Sequence, residues 1–190
     1  TITFNGNGRI LTYTASLSTN PATLELNGAD WIRVNNLNVR GLGSTYALVC
    51  HLWNNADNNI FTGCTFEAPA NTSTSTHVPF SISGTKTSAT GSGAASGHNN
   101  EVNTCTMNNG YYNTVIYSGT SPYPTDNKII NCNALDFYMY GIYNYYGQNS
   151  EIRGCVVERP TRTTVSTTYA LYLSSGSAGC LVQGNRVRRL

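Results

Sequence analysis

The chain has 190 residues and a formal net charge of +2, with charged side chains at only 11%, against roughly 25% in ordinary soluble proteins. Nine arginines and two lysines are scattered rather than striped, which argues against an electrostatic nucleic-acid surface. No apolar run nears the ~20 residues that span a bilayer, so no membrane insertion is expected.

Polar character comes from Asn, Thr, Ser and Gly instead of charge. A neutral surface rich in hydroxyls and amides suits a secreted or cell-surface protein in contact with sugar. The chain opens inside a strand-like run, Ile2-Thr3-Phe4, and closes mid-pattern at Val187-Arg188-Arg189-Leu190. It therefore reads as a segment of a longer protein, one domain over 1–190.

In chain order, a six-residue motif recurs. Its copies are Val34–Val39, Phe61–Phe66, Val102–Met107, Ile129–Ala134, Ile152–Val157 and Val182–Val187. The first position is always apolar, as an inward strand position must be. Two residues on stand Asn36, Gly63, Thr104, Asn131, Gly154 and Gly184. Gly and Asn best tolerate a left-handed backbone, so this column predicts a bend. The next column holds Leu37, Cys64, Cys105, Cys132, Cys155 and Asn185, and reads as small, inward filler.

A second strand precedes several copies: Ala47–Cys50, Phe80–Ile82, Thr114–Tyr117, Gly141–Asn144 and Ala170–Leu173. Between the second and third copies the spacing widens to 41 residues, from Phe61 to Val102. The Pro-, Ser-, Thr- and Gly-rich stretch near 68–98 supplies the extra length as a surface loop.

Outward columns agree with stacking about 4.8 Å apart. Glu101, Lys128 and Glu151 alternate in sign, Arg40 precedes Glu67, and Glu158 precedes Arg188. Asn59, Asn100 and Asn127 form a column whose amides can hydrogen-bond up the stack. The pattern predicts an all-β chain folded as a right-handed parallel β-helix, a solenoid of about six to seven coils with a long loop near 68–98.

The motif Asn-x-Ile-x-x-Cys-x-Val, with Gly-Ile-Tyr upstream at Gly141–Tyr143, resembles the pectate-lyase-like right-handed parallel β-helix superfamily. The run Leu24–Val39 resembles the early coils of large secreted Bacteroidota proteins. The resemblance covers nearly the whole chain. It implies export by the type IX system and display on the cell surface. For activity it implies several options: adhesin, structural module, polysaccharide lyase or glycoside hydrolase.

Lyases on this fold use an Arg or Lys base with calcium held by several acids; hydrolases use paired Asp residues. This chain has four Asp, at 30, 57, 126 and 136, and no Asp-Asp pair. No C-x-x-C or H-x-x-x-H spacing appears, so no metal site is expected, calcium entering only on the lyase reading. The least-explained charges are Asp136, Arg159 and Arg162, weak catalytic candidates beside a tyrosine-rich region. His51, His77 and His98 are dispersed and read as locally hydrogen-bonded.

Tyrosine is the most suggestive residue type: eleven of thirteen lie between positions 111 and 172. Alternation turns Tyr143 and Tyr172 outward while Ile142 and Leu171 turn inward. With Tyr145, Tyr146 and Tyr117 they form a candidate strip for stacking on a polysaccharide or other glycan. The plainer alternative is that tyrosines favour strands and cover the core edge. Open solenoid ends also suggest further coils of the same chain, or neighbouring subunits, as partners.

Overall fold

The structure is a computed structural model describing residues 1–94 and 96–190. Among the described residues twenty strands form three all-parallel sheets, of seven, seven and six strands. Each of the first six coils gives one strand to each sheet, and the last gives Leu181–Gln183 and Arg186–Arg188 to the first two; the fourth contributes Glu101–Asn103, Thr106–Asn108 and Tyr112–Tyr117. The result is a right-handed parallel β-helix of about seven turns. Right-handedness is the regular outcome when twisted parallel strands are joined by crossovers. Among the described residues no helix is long and apolar enough to cross a membrane.

The repeat columns become geometric columns. Val102 pairs with Phe61 on one side and Ile129 on the other, and Ile129 pairs with Ile152. All four are fully buried. Phe61, Phe66 and Phe80 pack together at centroid distances of 5.5–5.9 Å and fill the third coil. The 68–98 stretch is not one continuous loop. Strand His77–Ser83, buried throughout, divides it into excursions on either side. Residue 95 of that stretch lies outside the described residues.

Two corners are held by side chains that replace the interrupted strand ladder. At the bend between first and second sheets, Asn36, Gly63, Thr104, Asn131, Gly154 and Gly184 have φ of 50–65°. The following thiols point inward. Sγ of Cys64, Cys105, Cys132 and Cys155 lies 3.3–3.5 Å from the carbonyls of Val34, Phe61, Val102 and Ile129, each one coil back. All six cysteines are free thiols. In the last coil Asn185 takes the same place. Its Nδ2 donates to Ile152 O at 2.8 Å and its Oδ1 accepts the Cys155 N–H at 2.9 Å.

At the corner from third to first sheet, three buried asparagines do this with stronger groups. Oδ1 of Asn59, Asn100 and Asn127 accepts the N–H of Ile32, Asn59 and Asn100, at 2.9, 3.0 and 3.0 Å. Their Nδ2 atoms donate to the carbonyls of Ala29, Ala56 and Gly97. Buried backbone groups must find partners, and here one side chain satisfies both an N–H and a carbonyl of the turn one coil back.

The outer charge columns also appear. Arg40 meets Glu67 at 3.0 Å, Lys128 meets Glu151 at 3.5 Å and Arg188 meets Glu158 at 2.6 Å. Glu101 is in register with Lys128, but its carboxylate accepts from Asn103 Nδ2 at 3.0 Å. The Arg40–Glu67 and Lys128–Glu151 pairs are partly exposed and contribute little individually, whereas the Glu158 carboxylate is buried.

Asn100→Ala would leave the buried Asn59 N–H and Ala56 carbonyl without their partners, at about 1–3 kcal/mol each. Urea unfolding is expected to show a loss of about 2–5 kcal/mol, while Asn35→Ala on the exposed face stays within about 0.5 kcal/mol. Equal, small losses at both positions would contradict the ladder's role.

Candidate functional site

The third sheet carries the candidate site on its outer face. Each of its strands bends once, so outward residues fall into three columns. One column runs Ala22, Leu48 and Val78, and continues as Tyr112, Tyr140 and Tyr169. The second runs Glu25, His51, Ser81, Val115, Tyr143 and Tyr172. The third pairs Asn27 with Trp53 and, further along, Ser83 with Tyr117 and Tyr145. Tyrosine therefore dominates the face only from the fourth coil onward.

The first half of this face is covered by the chain itself. The excursion after Ser83 folds back so that Ala89 packs with Leu48, Val78 and Val115. His51 anchors it: Nε2 donates to the Thr85 carbonyl at 2.8 Å, which leaves Nδ1 to accept the Ser81 hydroxyl at 2.7 Å. Ser83 Oγ donates to the Ser88 carbonyl at 2.6 Å. Beyond Val115 this cover ends and the tyrosines begin.

The tyrosines form an aromatic array. Tyr140 stacks on Tyr112 at 5.4 Å and on Tyr169 at 5.2 Å, with interplanar angles of 21° and 23°. Tyr117 stacks on Tyr145 at 4.6 Å, and Tyr123 on Tyr146 at 4.6 Å. Tyr143 lies 5.4 Å from Tyr172, tilted by 46°. Ring centroids at 4.6–5.4 Å match the coil spacing, which is why side chains one coil apart can stack at all. The stacking modifies one expectation. Both faces of Tyr140 are turned to other tyrosines, so this stack meets solvent along ring edges and hydroxyls, not flat faces.

Burial, and then the neighbouring phenols, push the Tyr112 hydroxyl up to about 12; Tyr143 is raised for the same reasons. The array is therefore uncharged at neutral pH, with a rim of hydroxyls able both to donate and to accept. Tyr140, at the centre of the stacks, carries more contacts than the alternation argument assigned to it.

Asp136, Arg159 and Arg162 flank this array. Asp136 Oδ1 accepts the N–H groups of Thr161 and Arg162, at 2.9 and 3.0 Å, and Oδ2 accepts the Thr161 hydroxyl. Arg162 donates to the carbonyls of Thr164, Asp136 and Thr72, and its guanidinium lies 5.0 Å from the Tyr138 ring. These two side chains pin the excursion after Arg159 against the excursion before His77. Arg159 lies 5.9 Å from the Phe137 ring, and its Nε and Nη1 are buried without a hydrogen-bond partner. Among the described residues no three His, Cys, Asp or Glu side chains are placed to hold a metal ion.

Comparison with protein-family models, with curated proteins and with solved structures finds no match to this chain.

Burial lowers His51 to about 4, against smaller opposing effects of the Thr85 carbonyl and Glu25. In the unfolded chain a histidine titrates near 6.5. Acid therefore favours the unfolded chain: the stability is complete above about pH 6.5 and is lost as pH falls toward 4. The gap corresponds to about 3 kcal/mol. Urea unfolding at pH 7.5 and pH 4 is expected to show this loss, and His51→Gln is expected to remove most of it. An equal pH dependence in both proteins would contradict the assignment.

Proposed function

We propose that this chain is an extracellular or cell-surface β-helix module of adhesin or structural type that contacts glycans through its tyrosine array. The observation that carries the reading is the abrupt change on one sheet face. The same columns are covered by the chain from the second coil as far as Val115 of the fourth, and otherwise carry stacked, partly exposed tyrosines from the fourth coil to the sixth. A surface built only to close the core would be served by the cover already used next door. A run of hydroxyls at coil spacing, backed by apolar rings, suits a hydroxyl-rich partner such as a polysaccharide.

Other features support the same setting. Charge is sparse, and the surface is dominated by amides and hydroxyls. The β-helix and its motif are consistent with the pectate-lyase-like superfamily and with secreted Bacteroidota proteins carried by the type IX system. The surroundings of Asp136 and Arg162 favour binding over catalysis: their polar atoms are engaged in pinning loops.

Retention on an array of bacterial, plant and host polysaccharides tests the reading. The protein is expected to be retained on at least one glycan. The double variant Tyr143→Ala, Tyr172→Ala is expected to weaken retention at least about tenfold, a loss of about 1.4 kcal/mol, with the far-ultraviolet spectrum unchanged. Retention on no glycan, or equal retention of the variant, would contradict it. A rise in ultraviolet absorbance from unsaturated sugar products would favour the polysaccharide lyase reading instead.

A further inference from the structure

A different sheet carries a second feature, independent of the tyrosines. At the turn entering the first sheet, one residue per coil adopts a left-handed backbone: Trp31, Asn58, Asn99, Asp126, Asn149 and Gly179, with φ of 50–68°. Their equivalence is fixed by hydrogen bonds. The N–H groups of Trp31, Asn58, Asn99, Asp126 and Asn149 donate in turn to the carbonyls of Asp57, His98, Thr125, Gln148 and Ala178, the residues just before the next member of the column. Five coils use Asn, Asp or Gly, the residues that tolerate this conformation. The second coil uses tryptophan, for which a positive φ is an outlier with an energetic cost.

Burial does not offset that cost, since Trp31 is 55% exposed. Nor does aromatic packing: among the described residues its indole joins no ring pair, whereas the tyrosine rings stack on one another. Trp31 instead walls a hollow of about 110 Å³ with Arg33, Asn58, Ile60, Glu101 and Lys128. Asn99 Nδ2 donates to Asn58 Oδ1 at 2.7 Å, orienting the Asn58 amide with its own N–H donors left over. Glu101 offers an acceptor, and Arg33, which has no ion-pair partner among the described residues, offers donors.

We infer that this hollow binds a single neutral pyranose ring, with the indole of Trp31 under its C–H face. An aromatic face beside both donors and acceptors matches a ring that is apolar on one side and hydroxylated at its rim. Lys128 is already paired with Glu151, which leaves one cation, Arg33, and one carboxylate, Glu101, lining the hollow with no net charge, so a neutral ligand is favoured. A hollow of about 110 Å³ is too small to enclose a chain, so a single ring seated over its mouth is the occupant that fits. This goes beyond the tyrosine reading, because it lies on another sheet and grips a ring face rather than a row of hydroxyls.

The test uses the whole chain labelled with 5-fluorotryptophan, which gives one fluorine resonance each for Trp31 and Trp53. It is titrated with millimolar methyl glycosides of glucose, galactose, mannose and N-acetylglucosamine. The Trp31 resonance is expected to move saturably with at least one glycoside while the Trp53 resonance stays still. Trp31→Asn is expected to reduce saturation transfer to that glycoside at least about tenfold, to raise the melting midpoint by about 2–4 °C through relief of the backbone cost, and to leave polysaccharide retention by the tyrosine array unchanged. No saturable movement with any of the four, undiminished transfer in Trp31→Asn, or a lowered midpoint would overturn the inference. Loss of the tyrosine reading alone would leave it standing.

Discussion

The rest of this molecule depends on buried hydrogen bonds made across coils at two of its three corners. A parallel β-helix has regular ladders along its three sheets, but the ladder must break wherever the chain turns. The broken points are buried, and a buried peptide group without a partner costs about 1–3 kcal/mol. Asparagine solves the problem at one corner by accepting from the coil before and donating to a turn carbonyl. Thiols fill a second corner, where Sγ lies over a carbonyl one coil back. Asn185 shows that the two solutions are interchangeable in kind, since its amide makes both contacts at the head of the thiol column. Fixed corners in turn fix register, and register is what places any side chain over its equivalent.

The tyrosine array is a consequence of that register. Rings stack at 4.6–5.4 Å because the backbone beneath them repeats at the same distance. The array is thus an exposed face whose geometry is set by the scaffold and not by its own flexibility. Preorganised aromatic and hydroxyl groups lose little freedom on meeting a partner, which favours binding. The neighbouring cover, anchored through the neutral buried His51, marks where that face begins.

Much of the scaffold was legible in the sequence because columns one coil apart obey the same chemical demand. Val102, Ile129 and Ile152 must be apolar, and Asn36, Asn131 and Gly154 must accept a left-handed backbone, so both columns show in the letters. Thr104 was less legible, since a β-branched residue with φ of 52° runs against local preference and is carried by its neighbours. The strand His77–Ser83 was partly hidden inside a stretch with loop composition, because its outer face is covered by chain instead of by solvent. The direction of the tyrosines followed from alternation, but ring-to-ring stacking did not, because it depends on side-chain torsions. Trp31 was readable in principle: it stands three residues before Val34, as Asn58 stands before Phe61 and Asn99 before Val102. What hides it is that exposed aromatics are unremarked until their backbone conformation is known.

Native-state hydrogen exchange resolved by residue tests the dependence on corners most directly. The account predicts that the backbone amides of Asn59, Asn100 and Cys64 exchange only through global unfolding, as slowly as Phe61 and Ile129 in the strand interiors. Turn amides outside the ladders, such as Gly119 and Thr120, exchange faster. Corner amides that open at low free energy while the strands stay closed would show that the coils hold their register without these side chains, and would contradict the account.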